Sequence, residues 1–180
     1  MPPLRDILVW PTAQSAGLCL RDGRTLRCAL GRGGARADKR EGDGATPLGR
    51  LPLRRVLYRA DRVPQPDTGL PLEPLSPADG WCDEAGHRDY NRPVRLPHDA
   101  RCEEMWRTDA LYDIVAVLGW NDDPVERGRG SAIFMHVARP DYAPTEGCIA
   151  LAPADLRRLL AGATTGMAVT VLDAPPPDRR

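Results

Sequence analysis

The sequence predicts a single, mostly β domain of the α+β class. Short β-branched or alternating apolar runs recur along the chain, each closed by a turn signal. Proline (19) and glycine (17) make up a fifth of the 180 residues, which favours many turns over long helices. Only two segments hold the spacing of an amphipathic helix.

The elements follow in order. Residues 7–10 (ILVW), 16–22 (AGLCLRD) and 24–30 (RTLRCAL) read as strands, with Asp22-Gly23 as a two-residue hairpin loop. That loop sets Cys19 opposite Leu26 and leaves Cys28 diagonal to Cys19, roughly 7–8 Å away. Such a distance is long for a disulfide, so both cysteines read as small core residues. Residues 31–53 are rich in glycine and charge and read as a loop, with a turn at Thr46-Pro47 and Gly49. Residues 54–60 read as a strand. Five prolines within residues 63–77 predict an irregular surface loop.

Residues 81–93 (WCDEAGHRDYNRP) are turn-rich yet carry Trp, His, Tyr and Asn, the content of loops that line sites. Residues 98–107 predict a helix, with Asp99 as cap and Cys102, Met105 and Trp106 on one face. Residues 111–120 and 131–137 are β-branched apolar strands. Residues 153–163 hold the best helix: Pro153 in the first turn, a stripe of Leu156, Leu159 and Leu160, and Gly162 at the end. Residues 166–173 form a last strand. The domain is expected to span residues 1–173, followed by a disordered, proline-rich tail at 174–180.

Composition narrows the function. The 25 basic and 25 acidic side chains balance, which argues against nonspecific binding to nucleic acid or anionic membrane. No apolar run approaches the about 18 residues of a membrane span, and the first residues lack the apolar core of a secretory signal. Either the chain stays inside the cell or its export signal was trimmed or is unconventional. Five cysteines are an odd number, so at least one thiol is free or pairs between chains; Cys82 and Cys102 are unassigned.

The chemistry centres on IFMHVARPDYAPTEGCIAL, residues 133–151. His136 ends an apolar strand. Cys148 follows Gly147, whose missing side chain permits a tight turn and a close substrate approach. An imidazole that takes a thiol proton makes a nucleophile, and backbone N–H groups near Gly147 and Cys148 can polarise a carbonyl. The bland reading, a core cysteine and a hydrogen-bonded histidine, stands beside it. A zinc site of Cys82, His87, His136 and Cys148 is a further alternative, but the Cys82–His87 spacing matches no common ligand pair and no CxxC occurs. A serine hydrolase lacks its GxSxG, and GRGGAR lacks the GK[ST] ending of a P-loop.

The strand-His, loop, Thr-Glu-Gly-Cys arrangement resembles the catalytic signature of L,D-transpeptidases with the YkuD domain. KREGDGATPLGRLPL, YNRPVRLP and VLGWND extend the resemblance over roughly residues 5–172. It implies a β-sandwich with a helix after the Cys box, and acyl transfer on peptidoglycan stem peptides. Cys148 attacks the carbonyl between the third stem residue, usually diaminopimelate, and D-Ala. His136 takes the thiol proton and passes it to the leaving amine. An amine of a second stem then resolves the thioester and forms a crosslink. Thr145 and Gly147 complete the catalytic box. Trp81, Tyr90, Asn91, Arg139, Tyr142 and Glu146 are the substrate-binding candidates.

No metal or cofactor is expected, the partner is peptidoglycan, the state a monomer, and the place the periplasm or cell wall. Two family positions differ: Glu146 stands where a His precedes Gly-Cys, and Ala150 where an Arg follows, with Arg139 and Arg92 as its nearest replacements. Water as acceptor makes an L,D-carboxypeptidase or an amidase acting on a protein–peptidoglycan link. An inactive wall-binding domain is the reading from another class.

Overall fold

The computed structural model describes residues 6–177. Strands β1 (Ile7–Pro11), β2 (Ala16–Arg21) and β3 (Arg24–Ala29) form an antiparallel meander. Asp22 and Gly23 both take positive φ (48° and 74°), the backbone that a two-residue hairpin loop demands, and Cys19 does face Leu26. The expected loop at 31–53 contains a small parallel pairing of β4 (Ala35–Arg36) with β5 (Thr46–Pro47), and the start of β6 (Gly49–Tyr58). The proline-rich stretch holds β7 (Leu72–Pro74), which pairs with the end of β6.

A separate three-stranded sheet follows, with β8 (Asp79–Cys82) between β9 (Pro93–Arg95) and β10 (Cys102–Glu104). The expected helix at 98–107 is therefore a correction: Cys102 to Glu104 pair with Gly80 to Cys82 instead. A three-and-four spacing of apolar residues cannot reveal a partner strand twenty positions away. Then come β11 (Ile114–Leu118), β12 (Phe134–Val137), β13 (Ile149–Leu151), α1 (Pro153–Ala161) and β14 (Ala168–Val171). α1 is the one α-helix among the described residues, and no helix there is long and apolar enough to cross a membrane.

The large sheet runs β11-β12-β13-β3-β2-β1-β14-β6-β7, and β11 pairs back onto β6. It closes into a barrel-like ring with β7 outside, rather than the expected sandwich. The cause is the length of β6: residues 49–52 pair with β14, and residues 53–58 pair with β11. Closure removes the open edges that two stacked sheets leave. Within the ring, Ile7, Val9, Val169, Met135 and Ile149 join the Leu156, Leu159 and Leu160 stripe of α1 in one core.

A second core covers the outer face of β11 and β12. Val115, Val117 and Phe134 meet Trp81, Met105 and Tyr112 there. Both faces of these two strands are thus buried, which explains why their sequences are apolar without alternation. Phe134 and His136 share the outer face, so the cap built by β8–β10 ends beside His136. Residues 174–177 carry no regular structure, and residues 178–180 of the expected tail lie outside the described residues.

Candidate active site

Strands β12 and β13 are parallel, with Met135 opposite Ile149 and His136 opposite Ala150. Cys148 is therefore level with Phe134, and its thiol shares the face of His136. Diagonal neighbours of this kind stand about 7–8 Å apart at Cα, within reach of a long side chain. Both side chains line one cavity of about 320 Å³, large enough for part of a peptide.

The thiol is fixed from two sides. Sγ donates to the Ala132 carbonyl (3.3 Å) and accepts the Phe134 N–H (3.4 Å). The His136 Nδ1–H donates to the Val137 carbonyl at 2.9 Å, leaving the Nε2 lone pair free. Tyr112 packs edge-on against the ring, 5.3 Å between centroids, and its hydroxyl donates to Glu103.

Burial disfavours the charged form of both groups. Burial pushes the Cys148 thiol up to about 12, and the Glu103 carboxylate adds to this; the Phe134 N–H and the Lys39 ammonium oppose it. Burial holds the His136 ring down at about 4, against the pull of its bond to Val137. Burial thus works against the thiolate–imidazolium pair in the empty site, since it disfavours the charged form of each partner.

The Cys box is a stapled turn. Thr145 Oγ1 donates to the Cys148 carbonyl (2.6 Å) and accepts the Gly147 N–H (3.1 Å). Both bonds of the Thr145 hydroxyl lie within the turn, and the Gly147 N–H is committed there. Gly147 has φ +133°, and a Cβ there would sit 2.7 Å from the Ala45 carbonyl oxygen, so no larger residue fits. Glu146 points outward and binds the Arg32 Nε through both oxygens (2.9 and 2.8 Å). Lys39 and Asp43 form a part-buried pair at 2.6 Å that orders the preceding loop, a structural role.

The remaining candidates divide. Arg139 and Glu146 line the cavity with Thr145. Trp81, Tyr90 and Asn91 are buried and do not line it. Trp81 packs edge-on against Phe134 and donates to Asn91 Oδ1 at 3.0 Å. The Tyr90 hydroxyl donates to Glu41 and accepts the Gly130 N–H. Asn91 Oδ1 also accepts the Ala132 N–H (3.0 Å), so Asn91 positions the loop whose carbonyl receives the Cys148 thiol. Tyr142 is half-buried outside the cavity, under the Arg27 guanidinium at 4.2 Å.

Sequence reasoning missed Glu41, Glu103, Arg107 and Tyr112, which all line the cavity. Glu103 and Arg107 sit in the segment that reads as helix, and the other two lie in a loop or at a strand end; no local pattern marks them. They give the cavity charges of both signs. Glu41, Asp83 and Glu103 are acidic, whereas Arg107 and Arg139 are basic around Asp109 (2.7 and 3.8 Å). The tightest His/Cys/acid grouping among the described residues is His87, His98 and Asp99, outside this cavity.

The fold and this site are those of a mostly β domain in which a cysteine and a histidine line one cavity. A family model, YkuD, the L,D-transpeptidase catalytic domain, matches residues 5–171. The chain belongs to that family, whose activity is on peptidoglycan. No curated protein and no solved structure matches the chain.

Proposed function

We propose that residues 1–173 form one catalytic domain, a cysteine L,D-transpeptidase outside the cytoplasm, in the periplasm or cell wall. The observation that supports this best is the shared face of Cys148 and His136 at the floor of one cavity. Cys148 attacks the carbonyl joining diaminopimelate to D-Ala in a stem tetrapeptide. As the carbon–sulfur bond forms, the thiol proton passes to His136 Nε2. The Cys148 N–H is the oxyanion donor, since the Gly147 N–H is taken. His136 returns its proton to the departing D-Ala amine, leaving a thioester. An amine of a second stem then attacks, His136 removes a proton from it, and the thiol is regenerated.

A neutral resting pair suits this cycle. The nucleophile is generated only when substrate brings a carbonyl to it, so the empty enzyme is protected from stray electrophiles and oxidants. A lining with charges of both signs suits diaminopimelate, which carries a carboxylate and an amine on one side chain. Arg107 and Arg139 face the carboxylate, and Glu41 and Glu103 face the amine. Incubation with defined disaccharide-tetrapeptide tests the reading by mass spectrometry. Crosslinked dimers with release of D-Ala support it. Monomer lacking D-Ala and no dimer assigns the domain to hydrolysis instead.

A further inference from the structure

The cap sheet over the cavity carries a second set of reactive side chains that the proposed chemistry does not use. Cys82 on β8 stands directly opposite Cys102 on β10. The flanking bonds, Asp83 N–H to Arg101 carbonyl (3.2 Å) and Met105 N–H to Asp79 carbonyl (3.0 Å), fix the parity of this ladder. They make Cys82 and Cys102 a non-hydrogen-bonded pair, the kind whose side chains approach most closely, with Cα atoms about 4.5 Å apart.

Each sulfur faces an imidazole nitrogen. Cys82 Sγ lies 3.9 Å from His87 Nδ1, and Cys102 Sγ lies 3.6 Å from His98 Nδ1. In a tetrahedral zinc site, bonds of about 2.3 Å to sulfur and about 2.0–2.1 Å to nitrogen set the S···N edge near 3.6 Å. The two rings pack edge to face with centroids 5.1 Å apart. All four residues are buried or half-buried, within one stretch of the chain.

The outer nitrogens carry independent support. His87 Nε2 lies 3.3 Å from Asp99 Oδ1, and His98 Nε2 lies 3.3 Å from Asp89 Oδ2. The N–H groups of Asp89 and Ala100 donate to the Nδ1 atoms at 3.2 and 3.1 Å and so leave the proton on each Nε2. Asp99 Oδ1 also lies 3.4 Å from His98 Nδ1, and Asp89 Oδ2 3.7 Å from His87 Nδ1, so His87, His98 and Asp99 already converge and the two sulfurs flank them. A carboxylate behind each ring is the arrangement that orients metal-binding histidines. A plain disulfide between Cys82 and Cys102 gives neither ring a task.

We propose that Cys82, His87, His98 and Cys102 form a structural site for Zn²⁺ or a similar tetrahedral divalent ion. Both thiols lose their protons to solvent as the two metal–sulfur bonds form, and the metal takes the lone pairs that the two backbone N–H groups now share. The ion ties the excursion between residues 82 and 102 to the cap sheet. That sheet presents Asp83 and Glu103 to the cavity and seats Trp81 on Phe134. The zinc set weighed from sequence joined Cys82 and His87 to His136 and Cys148, which line the cavity instead.

The test uses the reduced full chain, stripped with chelator and titrated with Co²⁺. The expected result is one equivalent bound, with the visible bands of tetrahedral cobalt and a thiolate charge-transfer band, all displaced by Zn²⁺. Cys102→Ser loses the charge-transfer intensity, and Cys148→Ser retains it. Absence of tetrahedral bands overturns the proposal. So do bands that vanish in Cys148→Ser, or a Cys82–Cys102 disulfide recovered after folding with Zn²⁺. If Cys102→Ser does not fold, thiol labelling of the wild-type chain decides. Zn²⁺ must shield Cys82 and Cys102 from maleimide, and chelator must restore their labelling; equal labelling in both states overturns the site.

Discussion

The thiol of Cys148 donates to the carbonyl of Ala132, 3.3 Å away, and Ala132 holds a left-handed backbone with φ +52°. An L-residue pays about 1–2 kcal/mol for that conformation, so something must hold it. Asn91 does: its Oδ1 accepts the Ala132 N–H and its Nδ2 donates to the carbonyls of Trp120 (3.0 Å) and Asn121 (2.7 Å).

Asn91→Ala leaves the buried N–H groups of Ala132 and Trp81 unpaired. The expected cost is about 2–4 kcal/mol of stability, with a loss of kcat as the thiol loses its fixed orientation. Thermal unfolding and steady-state kinetics check this. Full stability with lost activity would contradict the positioning role.

The pH dependence of Cys148 alkylation distinguishes a neutral thiol from an ion pair. With the thiol held up at about 12, iodoacetamide labelling of the empty enzyme rises with pH through the alkaline range. A fast plateau at neutral pH would show a resting thiolate. Glu103→Gln removes one of the charges that oppose ionisation, so labelling accelerates by up to about tenfold, the equivalent of one pKa unit.

His136 gives an acid-stability signature. Its folded pKa of about 4 lies below the ordinary 6.5. Burial of the neutral ring is therefore compatible with the fold at and above pH 6.5, and the fold loses free energy as the pH falls toward 4, because the unfolded chain gains the proton first. The loss is on the order of 3 kcal/mol. Urea unfolding at neutral and acid pH reads it. His136→Gln is expected to show a smaller acid loss than the wild type, and an equal loss would contradict the burial argument.

Gly147→Ala places a methyl group against the Ala45 carbonyl at a φ that only glycine adopts freely. The expected cost is about 2–4 kcal/mol, read as a lower melting temperature, together with loss of acyl transfer. A variant that keeps both would show that the turn relaxes.

Local chemistry made part of this legible from the sequence. Asp22-Gly23 fixed a hairpin register, and Pro153 with its leucine stripe fixed α1, because turn chemistry and helical spacing are short-range. That Cys148 and His136 line one cavity follows from adjacent strands joined by a short loop. What the sequence concealed is non-local. Cys102–Met105–Trp106 imitates a helix face, yet β8 draws Cys102 to Glu104 into a strand. Tyr90 and Asn91 look like exposed site residues, but both are buried, tied by their side chains to Glu41 and to Trp81 and Ala132. Ring closure depends on both halves of β6 finding different partners, which no local window contains.

The most direct measurement is the intact mass of the enzyme after brief exposure to disaccharide-tetrapeptide. The account predicts an adduct of the donor minus D-Ala on Cys148, absent in Cys148→Ala and slow to form in His136→Ala. D-Ala release that persists in Cys148→Ala, or an adduct mapped to another cysteine, would contradict it.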